Sequence, residues 1–313
     1  MHKVKLLIGL LALVLFSCGD KEAEIPSYIY IDHIDLTTET AEGSSLHKIT
    51  DVWVTIGGNL LGAFELPCTI PVLKEGEFDI VLRAGIKLNG ISATRSAYTP
   101  FQLCTALDLD GNEIDKITLT RDSITSFNAK TEYKKDIKFS MIEDFEGAGW
   151  LLKSYELKNN TETDTSIYSA MLDKTDVIEE VYEGGYSGVI HLTKENHTVF
   201  IASESNEGFE IPPNGSGIGK YNYLELDYKS DVDLSLGLWF NNPSSSQIYW
   251  GGLRPNEDWA KVYLNIAPEQ AIHTLSEAYG ATHYTPYIRA TLPEDMEEAY
   301  IYIDNIKLIH ENE

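Results

Sequence analysis

The sequence predicts an all-β protein: a small β-sandwich followed by a larger jelly-roll β-sandwich. Three observations carry that prediction. Short alternations of apolar and polar residues recur along the chain, cut by Gly, Pro, Asn and Asp breaks. Helical periodicity is nearly missing, and only 268–280, "PEQAIHTLSEAYG", suits a short helix. Beyond the first apolar run about 290 residues remain, too many for one small core and suited to two domains.

The first element is "LLIGLLALVLFSCGDKEAE". Lys3 and Lys5 give it a positive start, and the apolar run from Leu6 to Ser17 is roughly twelve residues long, where a membrane-crossing helix needs about twenty. It has the charged and apolar regions of a secretory signal. Its end, "LFSC", resembles the lipobox of bacterial lipoproteins, with Leu15 and Ser17 matching and Phe16 a departure. The resemblance implies cleavage before Cys18 and acylation of its thiol, with palmitate-type chains holding the new N-terminus in a membrane. Two or more chains anchor stably where one binds only marginally. "GDKEAE" resembles the acidic tether of Bacteroidetes lipoproteins, which implies a place on the outer face of the outer membrane, towards the cell exterior. Residues 1–17 are therefore expected as a signal peptide and 18–27 as a lipidated tether.

The chain carries 49 acidic and 24 basic residues, a formal charge of -25. Binding nucleic acid requires Lys and Arg to neutralise phosphates, so this balance excludes that partner. It is compatible with divalent cations and neutral sugars, and it keeps an exposed protein soluble. With Cys18 acylated, Cys68 and Cys104 remain. An oxidising compartment lets them pair, closing a loop of about 36 residues for roughly 3 to 4 kcal/mol; two buried thiols are the alternative.

Residues 28–130 hold strand signals at short spacing: "SYIYIDHIDL", "DVWVTIGG", "NLLGAFEL", "GEFDIVLRAGI", "PFQLCTALDL" and "KITLTRD". Val52, Val54 and Ile56 share one face, and Gly57-Gly58-Asn59 signals a hairpin. The stretch from Val52 to Ile86 resembles small immunoglobulin-like PEGA and transthyretin-like domains, which have a strand, a glycine hairpin, "LG" and a proline in this order. That implies a spacer or docking module. "DLDGNEID", from Asp108 to Asp115, alternates carboxylates around a glycine but lacks the length and closing Glu of a calcium loop. It reads as an Asp-Gly turn. Residues 131–140 are locally basic and free of turn glycines, and are expected to be a linker or connecting strand.

Residues 141–313 again read as strands: "SGVIHLTKE", "HTVFIASE", "YNYLELDYKS", "VDLSLGLWFNN", "SQIYWGGL", "WAKVYLNI", "HYTPYIRATL" and "AYIYIDNIKLI". The opening "IEDFEGAGW" and the closing "YIYIDNIKLI" resemble the ends of galactose-binding-like and carbohydrate-binding-module jelly rolls. The resemblance implies that the two ends lie together and hold a structural Ca²⁺ through Glu146 and Asp304, with Asp144 a further ligand.

In a strand with one buried face, the residues that alternate outward are solvated or functional. Leu234, Leu236, Leu238 and Phe240 share one face, leaving Ser235, Gly237 and Trp239 on the other. Val262, Leu264 and Ile266 face inward, leaving Trp259, Lys261, Tyr263 and Asn265 outward. Leu224, Leu226 and Tyr228 oppose Tyr223, Glu225 and Asp227, and Tyr287 and Arg289 oppose Ile288 and Ala290. Aromatic planes cover the C–H face of a pyranose while polar neighbours bond its hydroxyls. Trp239, Tyr249, Trp250, Trp259, Tyr263 and Arg289 are accordingly the candidate ligand-binding residues. Aromatics are also good strand formers, which alone accounts for some of them.

"ELDYKS" begins like the E-x-D-x-x-E signature of a jelly-roll glycosidase family. Glu225 and Asp227 match, but Ser230 replaces the final acid. Retaining glycosidases need two carboxyl groups about 5 Å apart, so no enzyme is expected. The sequence thus predicts a non-catalytic surface lipoprotein that binds a glycan. A structural or adhesive protein docking other surface proteins is the alternative, and a cryptic glycan-active enzyme comes third.

Overall fold

The computed structural model describes residues 25–159, 161–203, 209–210, 222–240, 247–266 and 283–311. The signal peptide, Cys18, most of the tether, the short helix expected at 268–280 and the loop tip at 241–246 lie outside the described residues.

Among the described residues there are 22 strands and no α-helix, so the fold is all-β as expected. The first unit comprises β1 (Ser27–Thr37), β2 (Asp51–Ile56), β3 (Asn59–Glu65), β4 (Cys68–Val72), β5 (Gly76–Lys87), β6 (Arg95–Ala97), β7 (Leu103–Leu107), β8 (Glu113–Ile114), β9 (Lys116–Leu119) and β10 (Ile124–Glu132). They form one ladder in the order β3-β2-β5-β7-β10-β1-β4, with β6 and β9 on β5 and β8 on β7. Ile29, Ile31, Val52, Val54, Ile56, Leu82, Ile86 and Phe127 fill its core. Gly57 and Gly58 have φ of 53° and 76°, the left-handed pair that a two-residue hairpin needs, and they join β2 to β3. Asp108 accepts hydrogen bonds from the N–H groups of Asp110 and Asn112, closing the turn before β8 as an Asp-Gly turn.

Two expectations for this unit change. Residues 131–140 are no free linker: β10 runs to Glu132, Tyr133 is buried, and β11 begins at Ile137. Cys68 and Cys104 are free thiols rather than a disulfide. In the sheet β10 and β1 lie between their strands, a separation of roughly 14 Å at about 4.8 Å per strand, where a disulfide tolerates at most about 7 Å between Cα atoms. Burial pushes the Cys104 thiol up to about 12.

The second unit comprises β11 (Ile137–Glu143), β12 (Leu152–Ser154), β13 (Leu172–Thr175), β14 (Ser187–Thr193), β15 (Thr198–Ser203), β16 (Phe209–Glu210), β17 (Asn222–Ser230), β18 (Leu234–Phe240), β19 (Gln247–Leu253), β20 (Asn256–Asn265), β21 (His283–Thr291) and β22 (Glu298–Glu311). Sheet I runs β13-β14-β22-β17-β20 with β11 on β22, and sheet II runs β12-β15-β21-β18-β19 with β16 on β21. Their inner faces share one core of Leu224, Leu226, Leu234, Leu236, Leu238, Val262, Leu264, Ile288, Ile301 and Ile303. All of these but Ile301 and Ile303 belong to the inward set that the alternation predicts. The opening strand β11 pairs antiparallel with the closing strand β22 from Ile137↔Glu311 to Glu143↔Ile306.

Candidate functional site

The outer face of sheet I carries the predicted outward residues, but the first unit sits on half of it. Glu225, fully buried, accepts hydrogen bonds from the hydroxyl of Tyr98 at 2.6 Å and from that of Tyr133 at 3.0 Å to each carboxylate oxygen. Lys307 donates to the Ser44 carbonyl at 2.5 Å, and the hydroxyl of Tyr263 accepts from the Lys48 N–H at 2.9 Å. The Tyr98 ring packs against those of Tyr223 and Tyr263 with centroids 4.8 Å apart. Burial, and after it the charge of Glu225, pushes the Tyr98 and Tyr133 phenols well up. Burial brings the Lys307 amine down to about 8. Tyr263 is therefore an interdomain residue, 1% exposed, and no ligand contact as expected from its alternation. Beside it Asp227 and Lys261 form a buried pair at 3.2 Å.

The uncovered half of sheet I holds Trp259, half-buried and stacked on Tyr182 at 4.8 Å. Nearby acids organise the turn before β14. Glu146 Oε1 accepts from the N–H groups of Gly185 and Tyr186, Asp304 accepts from Ser187 Oγ at 2.6 Å and from the Asn305 N–H, and Asp144 accepts from the Glu146 N–H. Burial pushes the Asp304 carboxyl up to about 7. Among the described residues, no group of three or more His, Cys, Asp or Glu side chains is placed to hold one metal ion.

Sheet II brings three of the candidates together. Trp239, 3% exposed, stacks on Phe200 at 4.6 Å and 10°, meets Tyr287 at 5.5 Å and takes the Tyr155 ring edge-on at 4.7 Å. Tyr155 and Leu157 pack over this cluster. Towards the edge strand the surface opens. Gly237 lies in register between Tyr249 on β19 and Tyr287 on β21, so no side chain stands between the two rings. Tyr249 is 67% exposed. Its hydroxyl lies 3.4 Å from where a Cβ on Gly252 would stand, so the side chain runs along its own strand to Gly252. In the next row Ser235 lies between Gly252 and the exposed Arg289.

The result is an open strip beside the buried Trp239 and Tyr287, with the exposed Tyr249 standing on the edge strand and Ser235 and Arg289 in the next row. A flat exposed ring beside a guanidinium and a hydroxyl can stack on a sugar and bond its hydroxyls. Trp250 is not part of it: it is half-buried against the core, since it follows the outward Tyr249 on the strand. The sequence reasoning missed Tyr155 and Phe200. Phe200 was findable, since Val199 and Ile201 flank it as inward residues of β15.

No family model matches the chain, and no curated protein matches it. Among solved structures, it is similar to a carbohydrate-binding module of the β-sandwich superfamily at 13% identity, covering 83% of this chain and 84% of that one with a TM-score of 0.36. It is similar to the family 11 carbohydrate-binding module of a cellulosomal cellulase of Clostridium thermocellum at 13% identity, over 56% of this chain and 96% of that one, with a TM-score of 0.32. A family 29 carbohydrate-binding module from Piromyces equi matches at 8% identity over 56% and 92%, with a TM-score of 0.33. At these scores the likeness is loose.

Proposed function

We propose that the protein is a non-catalytic glycan-binding protein, acylated at Cys18 and held at the outer face of the outer membrane. The observation that carries the binding reading is the Tyr249 ring, two-thirds exposed, with its hydroxyl reaching Gly252 in the row of Ser235 and Arg289. A pyranose would cover an aromatic this exposed. The glycosidase-like pair supports the non-enzymatic reading, because Glu225 is locked between two tyrosines and Asp227 is paired with Lys261, both fully buried.

The test is retention of the full chain on a panel of immobilised polysaccharides. At least one glycan should retain the wild type and fail to retain Tyr249→Ala, whose melting temperature should be unchanged. Equal retention of the two proteins would sink the assignment of the face, and no retention on any glycan would sink the function.

A further inference from the structure

The first unit, expected to be a spacer, carries an aromatic face of its own. β2 lies between β3 and β5, and Trp53 stands in register with Ala63 and Arg83. Its neighbours Val52 and Val54 are buried in the core, so Trp53 points outward. Its ring rests on Gly85: a Cβ there would lie 2.3 Å from Trp53 Cζ3 and 2.9 Å from Cε3. The Cε3–Cζ3 side of the indole therefore lies against bare backbone, and the residue is half-buried.

Charged groups are fixed along the edge of that ring. Asp51, fully buried, pairs with Lys87 at 2.9 Å and with Arg95 at 3.2 Å. Arg95 reaches on to Glu65 at 2.7 Å. Two acids and two bases cancel within this network, and Arg83, exposed and in register with Trp53, adds one positive charge. Arg95 and Glu65 remain partly exposed, and together they offer a donor and an acceptor fixed in place.

We infer that Trp53 is the platform of a second sugar site, seated on Gly85, that takes a pyranose of a glycan chain with Arg95 and Glu65 bonding its hydroxyls. The site stands on its own residues and does not depend on Tyr249 in sheet II. Two sites on one chain make binding to a long glycan multivalent, raising avidity without new contacts.

The experiment titrates the full chain, with ¹⁵N-labelled tryptophan, with β-1,4-linked hexasaccharides of glucose, mannose, xylose and galactose and with β-1,3-linked glucose hexasaccharide. The Trp53 indole N–H, assigned by Trp53→Phe, should shift saturably with at least one of them, equally in Tyr249→Ala. Gly85→Ala, whose Cβ displaces the ring, should weaken this binding at least tenfold. Arg95→Met, a change at a partly exposed side chain, should weaken it about fivefold and decides the matter if Gly85→Ala does not fold. The inference is overturned by no saturable Trp53 shift with any sugar, by a shift lost in Tyr249→Ala, or by full affinity in Arg95→Met.

Discussion

Glu225 shows what alternation can and cannot tell at the scale of a residue. Its outward position follows from the inward Leu224 and Leu226, yet what lies on top of it is set by Tyr98 and Tyr133, 127 and 92 residues away. Removing this carboxylate leaves two buried hydroxyls without their acceptor and takes from Lys307 the strongest of its opposite charges, with Glu42 and Asp227 remaining. Glu225→Ala should therefore cost about 3 kcal/mol or more, read by denaturant unfolding of the full chain. Lys307 gives a pH dependence with a definite sign. Its folded-state value of about 8 lies below the ordinary lysine value near 10.4. Between those values the unfolded chain binds more protons than the native one, so stability rises with pH from about 8 to 10. Lys307→Met should remove that rise, and an unchanged slope would show that another group produces it.

Among the elements, the eight strands read in the second unit are all present, since each is a short apolar-rich or alternating run between turn residues, although β15, β17 and β22 are buried on both faces. The missed strands have physical reasons. β4 contains Pro71, which suits only an edge, and β4 is indeed the last strand of its ladder. β10, "ITSFNAKTE", places only Phe127, Ala129 and Thr131 inward, too few large apolar residues to stand out. The opening motif "FEGAGW" is legible for what it does mechanically. Phe145, fully buried at φ 58°, lies where a side chain on Gly188 of β14 would stand, 2.5 Å from its Cβ position. Gly188→Ala should cost about 1 to 3 kcal/mol by overpacking that contact, whereas Gly149→Ala, with open space around it, should cost little. Equal losses would contradict this seating of β11 and the turn that follows it.

For the whole molecule, the docking of the two units decides where a ligand can go. The first unit closes half of sheet I with a core of its own, in which Tyr223, Tyr263 and Ile309 of the second unit take part. The face left with an exposed flat aromatic on the second unit is therefore sheet II. Of six candidate residues, Trp239, Tyr249 and Arg289 meet there, while Trp250 faces the core, Trp259 stacks on Tyr182 and Tyr263 is covered. A single sequence shows which side chains leave a strand's core face. It does not show which of the two outer faces a neighbouring domain covers, because that depends on contacts more than a hundred residues apart.

Calorimetric titration of the full chain with the retained glycan, comparing wild type, Tyr249→Ala and Trp259→Ala, tests this most directly. Tyr249→Ala should lose at least tenfold in affinity, or about 1.4 kcal/mol, and Trp259→Ala should match the wild type. Loss in Trp259→Ala with Tyr249→Ala unchanged would place the ligand on sheet I and contradict the assignment.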